Sequence, residues 1–176
     1  NQSGALMEHI SDFMACMVDR DEWLAGDGTI IDPQYIALRD VSDPANPQVL
    51  RRLPKTMAEY QNLPANQDHG GVHINCGIPS YASYLMTAGA QGMGKEKAEK
   101  VVYRAMKAGY LTKYSQFVDY RRALTSAAKD LYGDAAEASA IRQSFDAVGI
   151  ADTGGTPPEP PGPTPAGSEL ALFSVA

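Results

Sequence analysis

Three histidines, two cysteines and one tryptophan are all the 176 residues hold of those types. Each scarcity narrows the field. Cys16 and Cys76 cannot build a disulfide framework. Each lies in an apolar helical context and reads as a buried free thiol, with a single bridge between them as the alternative. No apolar run approaches the roughly 20 residues of a membrane span. Basic residues are short too: 15 Lys plus Arg against 21 Asp plus Glu leave a net charge of −6. With no basic cluster, nucleic acid is not an expected partner. No secretory leader is visible, and an opening of Asn1-Gln2-Ser3-Gly4 without Met predicts a fragment or processed product. The length suits one domain with a sizeable core.

The organising stretch comes first. Leu6, Met7, Ile10, Phe13, Met14, Met17 and Val18 predict a helix over Ser3–Asp21, capped by Ser3 and apolar nearly all round. Such a helix belongs inside a domain, yet it carries Glu8 and Asp12 four positions apart on one face. Two buried carboxylates need a cation, whether Arg, Lys or a metal ion. The helix end gathers Asp19, Asp21, Glu22 and Asp27, which could hold calcium through oxygen ligands or form a solvated acidic surface.

Residues 28–67 read as an irregular, proline-punctuated loop region, with short helical turns at Pro33–Leu38 and Thr56–Tyr60. Arg39 lies within it and by itself reads as a surface ion pair. Asp68 and His73 then bracket a Gly70-Gly71 turn, so their side chains can meet. A carboxylate that accepts from an imidazole fixes its tautomer and favours its cationic form. A structural loop with a solvent-facing His is the alternative. Helices are expected over Asn75–Ala90, Lys95–Ala108, Gln116–Tyr132 with Ser115 as cap, and Asp134 or Ala135 to Val148. Fold class is therefore mainly α, about five helices with a long irregular loop region and a Pro-rich tail. Residues 1–150 form the domain, 151–166 a Pro/Gly-rich linker, and 167–176 the strand-like start of a following segment.

Several stretches together resemble one family. Gly4-x-x-Met7-Glu8-x-x-Ser11-Asp12 and Leu38-Arg39 precede Asp68-x-Gly70-Gly71-Val72-His73-Ile74-Asn75-x-Gly77-Ile78-Pro79. Lys95-x-Lys97-Ala98-Glu99-Lys100-x-x-Tyr103-Arg104-Ala105, Tyr110-Leu111-Thr112, Asp130-Leu131-Tyr132-Gly133 and Phe145-Asp146-Ala147-Val148-Gly149 follow in collinear order. The pattern resembles the C-terminal helical domain of the thermolysin family of secreted zinc metallopeptidases (gluzincins).

The resemblance implies roles. Glu8 is the third zinc ligand, and Asp12 orients a zinc-bound histidine. Arg39 holds the peptide carbonyl, and His73 stabilises the oxyanion, with Asp68 as its orienting partner. Leu38 forms a wall of the pocket for the apolar side chain after the scissile bond. Calcium is the second implied ion, with Asp19, Asp21, Glu22 and Asp27 as the positions that could serve. The chain departs from the family at Met7 and His69, where Asn is usual, and in a shorter acidic stretch. His9 has no family role.

The largest departure is the missing H-E-x-x-H: no Glu directly follows His9, His69 or His73. Two readings follow. The first is the C-terminal part of a secreted, extracellular zinc endopeptidase that cuts before apolar residues, using zinc-bound water with Arg39 and His73 on the oxyanion. Its partners are a peptide or protein substrate and an N-terminal H-E-x-x-H domain, from the same precursor or a separate chain. Alone it is incomplete, because catalytic zinc takes three protein ligands. The second reading is a non-catalytic helical binding or scaffolding module derived from such a peptidase.

Overall fold

The structure is a computed structural model that describes residues 1–154. Most of the expected linker and all of the 167–176 segment lie outside the described residues. Six helices dominate the described residues: α1 Gln2–Val18, α2 Asp68–Asn75, α3 Gly77–Ala88, α4 Lys95–Lys107, α5 Phe117–Tyr132 and α6 Ala136–Ala147. The mainly helical expectation holds, and the extra helix is the short α2. Two short strands, β1 Leu24–Ala25 and β2 Arg39–Asp40, pair antiparallel with Ala25 opposite Arg39.

The core is where α1, α3, α5 and α6 meet. Phe13, Ile78, Met86, Tyr120, Leu124 and Phe145 are fully buried there. Each such apolar side chain contributes about 1.5–3 kcal/mol of transfer free energy. Small residues set the close approaches. A Cβ on Gly4 of α1 would lie 2.5 Å from Val72 Cγ1 of α2. Cys16 and Cys76 are both buried and free. Burial pushes each thiol up to about 12, so both stay protonated and inert at neutral pH.

Several expectations about α1 need correction. The helix is not apolar all round in effect, because Met7 and Val18 are solvent-exposed. It is capped by Asn1, whose side chain accepts from Gly4 N–H, not by Ser3. It stops at Val18 instead of Asp21, since acidic residues oppose the negative end of a helix. Lys95 takes over that end. Its ammonium donates to the carbonyls of Cys16 (3.2 Å), Arg20 (2.9 Å) and Glu22 (3.1 Å) and lies 4.5 Å over the Trp23 ring. Of the two helical turns expected in the loop region, Met57–Glu59 is a 3₁₀ turn, whereas Pro33–Leu38 is not helical. There Ala37 instead bridges in parallel to Val49. The helix expected from Asn75 begins at Gly77, and that expected from Gln116 begins at Phe117, with Asp119 accepting from the Gln116 N–H. Ser115 accepts from Thr112 N–H and so ties a turn before the helix.

Candidate functional site

One face of α1 meets the loop region and α2. Asp12 is buried, and both its oxygens are taken by Arg39: Nε donates to Oδ2 at 2.6 Å and Nη2 to Oδ1 at 2.8 Å. This fork-on-fork geometry suits a guanidinium better than an ammonium. Asp12 thus meets a cation from within the chain. Glu8, one turn away, is different. Its side chain is 33% exposed, so the expectation of two equally buried carboxylates is corrected. Glu8 Oε2 lies 3.9 Å from Arg39 Nη2 and 3.6 Å from His73 Nε2. Both separations exceed hydrogen-bond distance, so its lone pairs are not used by protein donors among the described residues.

Arg39 is held by its surroundings. β2 presents it beside β1, and the next residue, Asp40, ties the following loop. Asp40 Oδ1 accepts from Ser42 N–H, the Ser42 hydroxyl and Asp43 N–H, while Oδ2 accepts from Asn46. The residues are Asp40-x-Ser42-Asp43-Pro44, in which the short Asp side chain bonds the backbone that follows it.

His73 is aimed by an unusual turn. Asp68, His69, Gly70 and Gly71 all have positive φ, from 49° to 80°. Glycine takes this region freely, and Asp and His only at a cost. The turn swings the Asp68 carboxylate back over α2. Its Oδ2 accepts from the His73 N–H at 2.9 Å, and its Oδ1 lies 2.5 Å from His73 Nδ1. Partial desolvation raises the Asp68 carboxyl, but these bonds from His73 outweigh it and hold the group below its ordinary value. With Nδ1 engaged, Nε2 is the ring nitrogen left toward Glu8. Behind the turn, the buried Asn75 side chain exchanges two hydrogen bonds with the Gln61 backbone, each 2.9 Å.

Arg39, Asp68 and His73 line one cavity of about 660 Å³. Leu38, Leu50, Leu53 and Ile74 give it an apolar wall, and Arg51, Arg52 and Gln61 complete its polar side. The sequence reading missed Leu50, Arg51, Arg52 and Gln61, because nothing in a proline-broken loop announces which residues fold back on the site. At the other end of α1, Asp19, Glu22 and Asp27 bring carboxylate oxygens within 4.8 Å of one another. Asp21 does not join them among the described residues. The Glu22 carboxyl is raised, first by desolvation and then by the Asp27 carboxylate beside it.

His9 was also missed as a structural residue. It is fully buried, with Nδ1 3.1 Å from Ser80 Oγ, and Nε2 3.2 Å from the Tyr120 hydroxyl and 3.1 Å from Ser83 Oγ. Ser80 spends its hydrogen on the Cys76 carbonyl, so it accepts from Nδ1–H, and Nε2 accepts. Burial lowers the His9 pKa to about 3. No buried side-chain nitrogen or oxygen lacks a partner among the described residues.

Residues 1–150 match the family model described as "Thermolysin metallopeptidase, alpha-helical domain". The chain belongs to the thermolysin metallopeptidase family. It is 38% identical over 152 residues to a zinc metalloproteinase of Listeria monocytogenes, covering 85% of this chain and 28% of that protein. It is likewise 38% identical over 160 residues to bacillolysin of Brevibacillus brevis, covering 85% and 29%. The fold resembles the precursor of protealysin, a metalloproteinase from Serratia proteamaculans, with a TM-score of 0.74 and 30% identity over 86% of this chain and 51% of that one. The chain therefore spans less than a third of the length of these two curated relatives. This thermolysin-type domain is the helical C-terminal part. A further relative at 38% identity is an extracellular elastase of Staphylococcus epidermidis. No helix among the described residues is long and apolar enough to cross a membrane.

Proposed function

We propose that this thermolysin-type domain is the C-terminal half of the active site of a secreted zinc endopeptidase that cuts on the N-terminal side of apolar residues. The observation that carries the reading is the convergence of Glu8, Arg39 and His73 beside one apolar-walled cavity, with Asp12 and Asp68 braced behind them. A carboxylate with unused lone pairs next to two donors fits a metal ligand, and Glu8 would be the one this chain supplies. Two more ligands must come from an H-E-x-x-H half, in the same precursor or a separate chain. Zinc, when bound, supplies a Lewis acid and an acidified water for peptide hydrolysis. Asp12 would also brace a histidine of that half.

The chain's own residues do the rest. Arg39, immobilised by Asp12, directs its remaining N–H groups at the peptide carbonyl oxygen. His73, its Nδ1 held by Asp68, offers an Nε2–H to the oxygen as negative charge develops there. Leu38 and its apolar neighbours take the side chain after the cut. On this reading residues 151–166 link the 1–150 domain to the segment 167–176. The Asp19, Glu22 and Asp27 group fits calcium, which prefers several carboxylate oxygens. Saturable calcium binding by calorimetry, lost in Asp27→Asn, tests that site.

The decisive experiment assembles this chain with the H-E-x-x-H half and measures zinc content and peptide hydrolysis together. Both should appear in the assembly and both should fall in Glu8→Ala. Hydrolysis and zinc content indifferent to Glu8→Ala refute the assignment. An assembly that binds peptide without cleaving it favours the non-catalytic module.

A further inference from the structure

The cavity carries more positive charge than the proposed chemistry uses. Leu50 N–H donates to the Ala37 carbonyl at 3.0 Å and Arg51 N–H to the Leu38 carbonyl at 2.9 Å. This pairing lays the Leu50-Arg51-Arg52 segment alongside Leu38 and Arg39. Both added arginines line the cavity and are exposed. Neither makes an ion pair among the described residues, and Arg52 donates only to the Pro47 carbonyl, at 3.2 Å. Arg39, by contrast, is engaged with Asp12, and Asp68, the one carboxylate lining the cavity among the described residues, is engaged with His73. In a chain of net charge −6, two guanidinium groups lacking a counter-charge at a concave, leucine-walled site are an unmatched feature.

We infer that Arg51 and Arg52 form an anion-selective subsite for a carboxylate on the C-terminal side of the scissile bond. The inference rests on the peptidase reading, in which Leu38 faces the residue just after the cut. Arg51 N–H is bonded to the Leu38 carbonyl and both arginines line the same cavity as Leu38, so the two guanidinium groups border the pocket on that side. The carboxylate could be an Asp or Glu side chain or the C-terminus of a short peptide. Both present the planar pair of oxygens that a guanidinium binds in a fork.

The test uses the assembled peptidase and two matched peptide pairs. The first pair has Glu or Gln two residues after the cut, with the C-terminus amidated and distant. The second ends two residues after the cut, with a free or an amidated C-terminus. At least one pair should show kcat/KM favouring the carboxylate by roughly threefold to tenfold, the scale of one or two partly screened ion pairs. The pair that responds names the source. The preference should fall to near unity in Arg51→Gln/Arg52→Gln, and in unmodified enzyme at about 1 M salt, where screening acts within roughly 3 Å. Ratios near one for both pairs in the unmodified enzyme overturn the subsite and leave the peptidase reading standing. A preference that survives the double substitution also overturns it. Hydrolysis of no peptide removes the peptidase reading, and the subsite with it.

Discussion

Glu8 and His9 are consecutive on α1, yet one turns to an open charged cavity and the other to a closed neutral network. The His9 side is complete: every polar atom has a partner and the ring is out of water. The Glu8 side is incomplete: a carboxylate stands between the Arg39 guanidinium and the His73 imidazole and touches neither at hydrogen-bond distance. A satisfied buried network locks a helix in one rotation. The Glu8 carboxylate beside it is then held in one place with its lone pairs unused among the described residues. The sum of the two makes α1 a rigid handle for a single free carboxylate.

Four measurements break or sharpen this contrast. The largest effect is expected at its seam. Arg39→Met leaves Asp12 buried without its cation and should cost about 3–5 kcal/mol by chemical denaturation of the assembled protein. A loss under about 1 kcal/mol would show that Asp12 is easily solvated. On the open side, His73→Ala should lower kcat by roughly two to three orders of magnitude with little change in stability, as for loss of one oxyanion donor. An unchanged kcat refutes the role. On the closed side, Ser80→Ala strands the His9 Nδ1–H and should cost about 1–3 kcal/mol, leaving Glu8-dependent zinc content intact. A neutral result means the network is not closed as described.

The smallest effect per step is a pH slope. His9 has a folded pKa of about 3, below its ordinary 6.5, so the unfolded chain binds the proton first. Its contribution is fully present above pH 6.5 and falls by about 1.4 kcal/mol per pH unit as acidity increases toward 3. Stability curves for the native protein and His9→Gln should therefore converge as pH drops from 6.5. Parallel curves would place the acid sensitivity elsewhere.

Much of this was legible in the chain itself, for local reasons. The α4, α5 and α6 boundaries follow from helical periodicity and glycine stops, to within a residue or two. A five-residue spacing across two glycines allowed Asp68 to meet His73 but left a structural loop with a solvent-facing His open, and the contact itself is seen only in the fold. The need for a cation near Asp12 followed from helix geometry, but its identity did not. Arg39 reaches Asp12 across 27 residues of irregular chain, where no periodicity reports direction. The same applies to Arg51 and Arg52, and to Lys95, whose partners are backbone carbonyls common to every sequence. His9 looked idle because its partners come from α3 and α5, more than 70 positions away.

The Lys95 contact has a consequence for handling the protein. A covalently tethered cation cannot be dialysed out or stripped by a chelator. The junction of α1, α4 and the acidic stretch thus contains one built-in positive charge next to the Asp19, Glu22 and Asp27 carboxylates. Whatever the carboxylate trio does, the three carbonyls stay gathered on Lys95, so neither dialysis nor chelation loosens that end of α1.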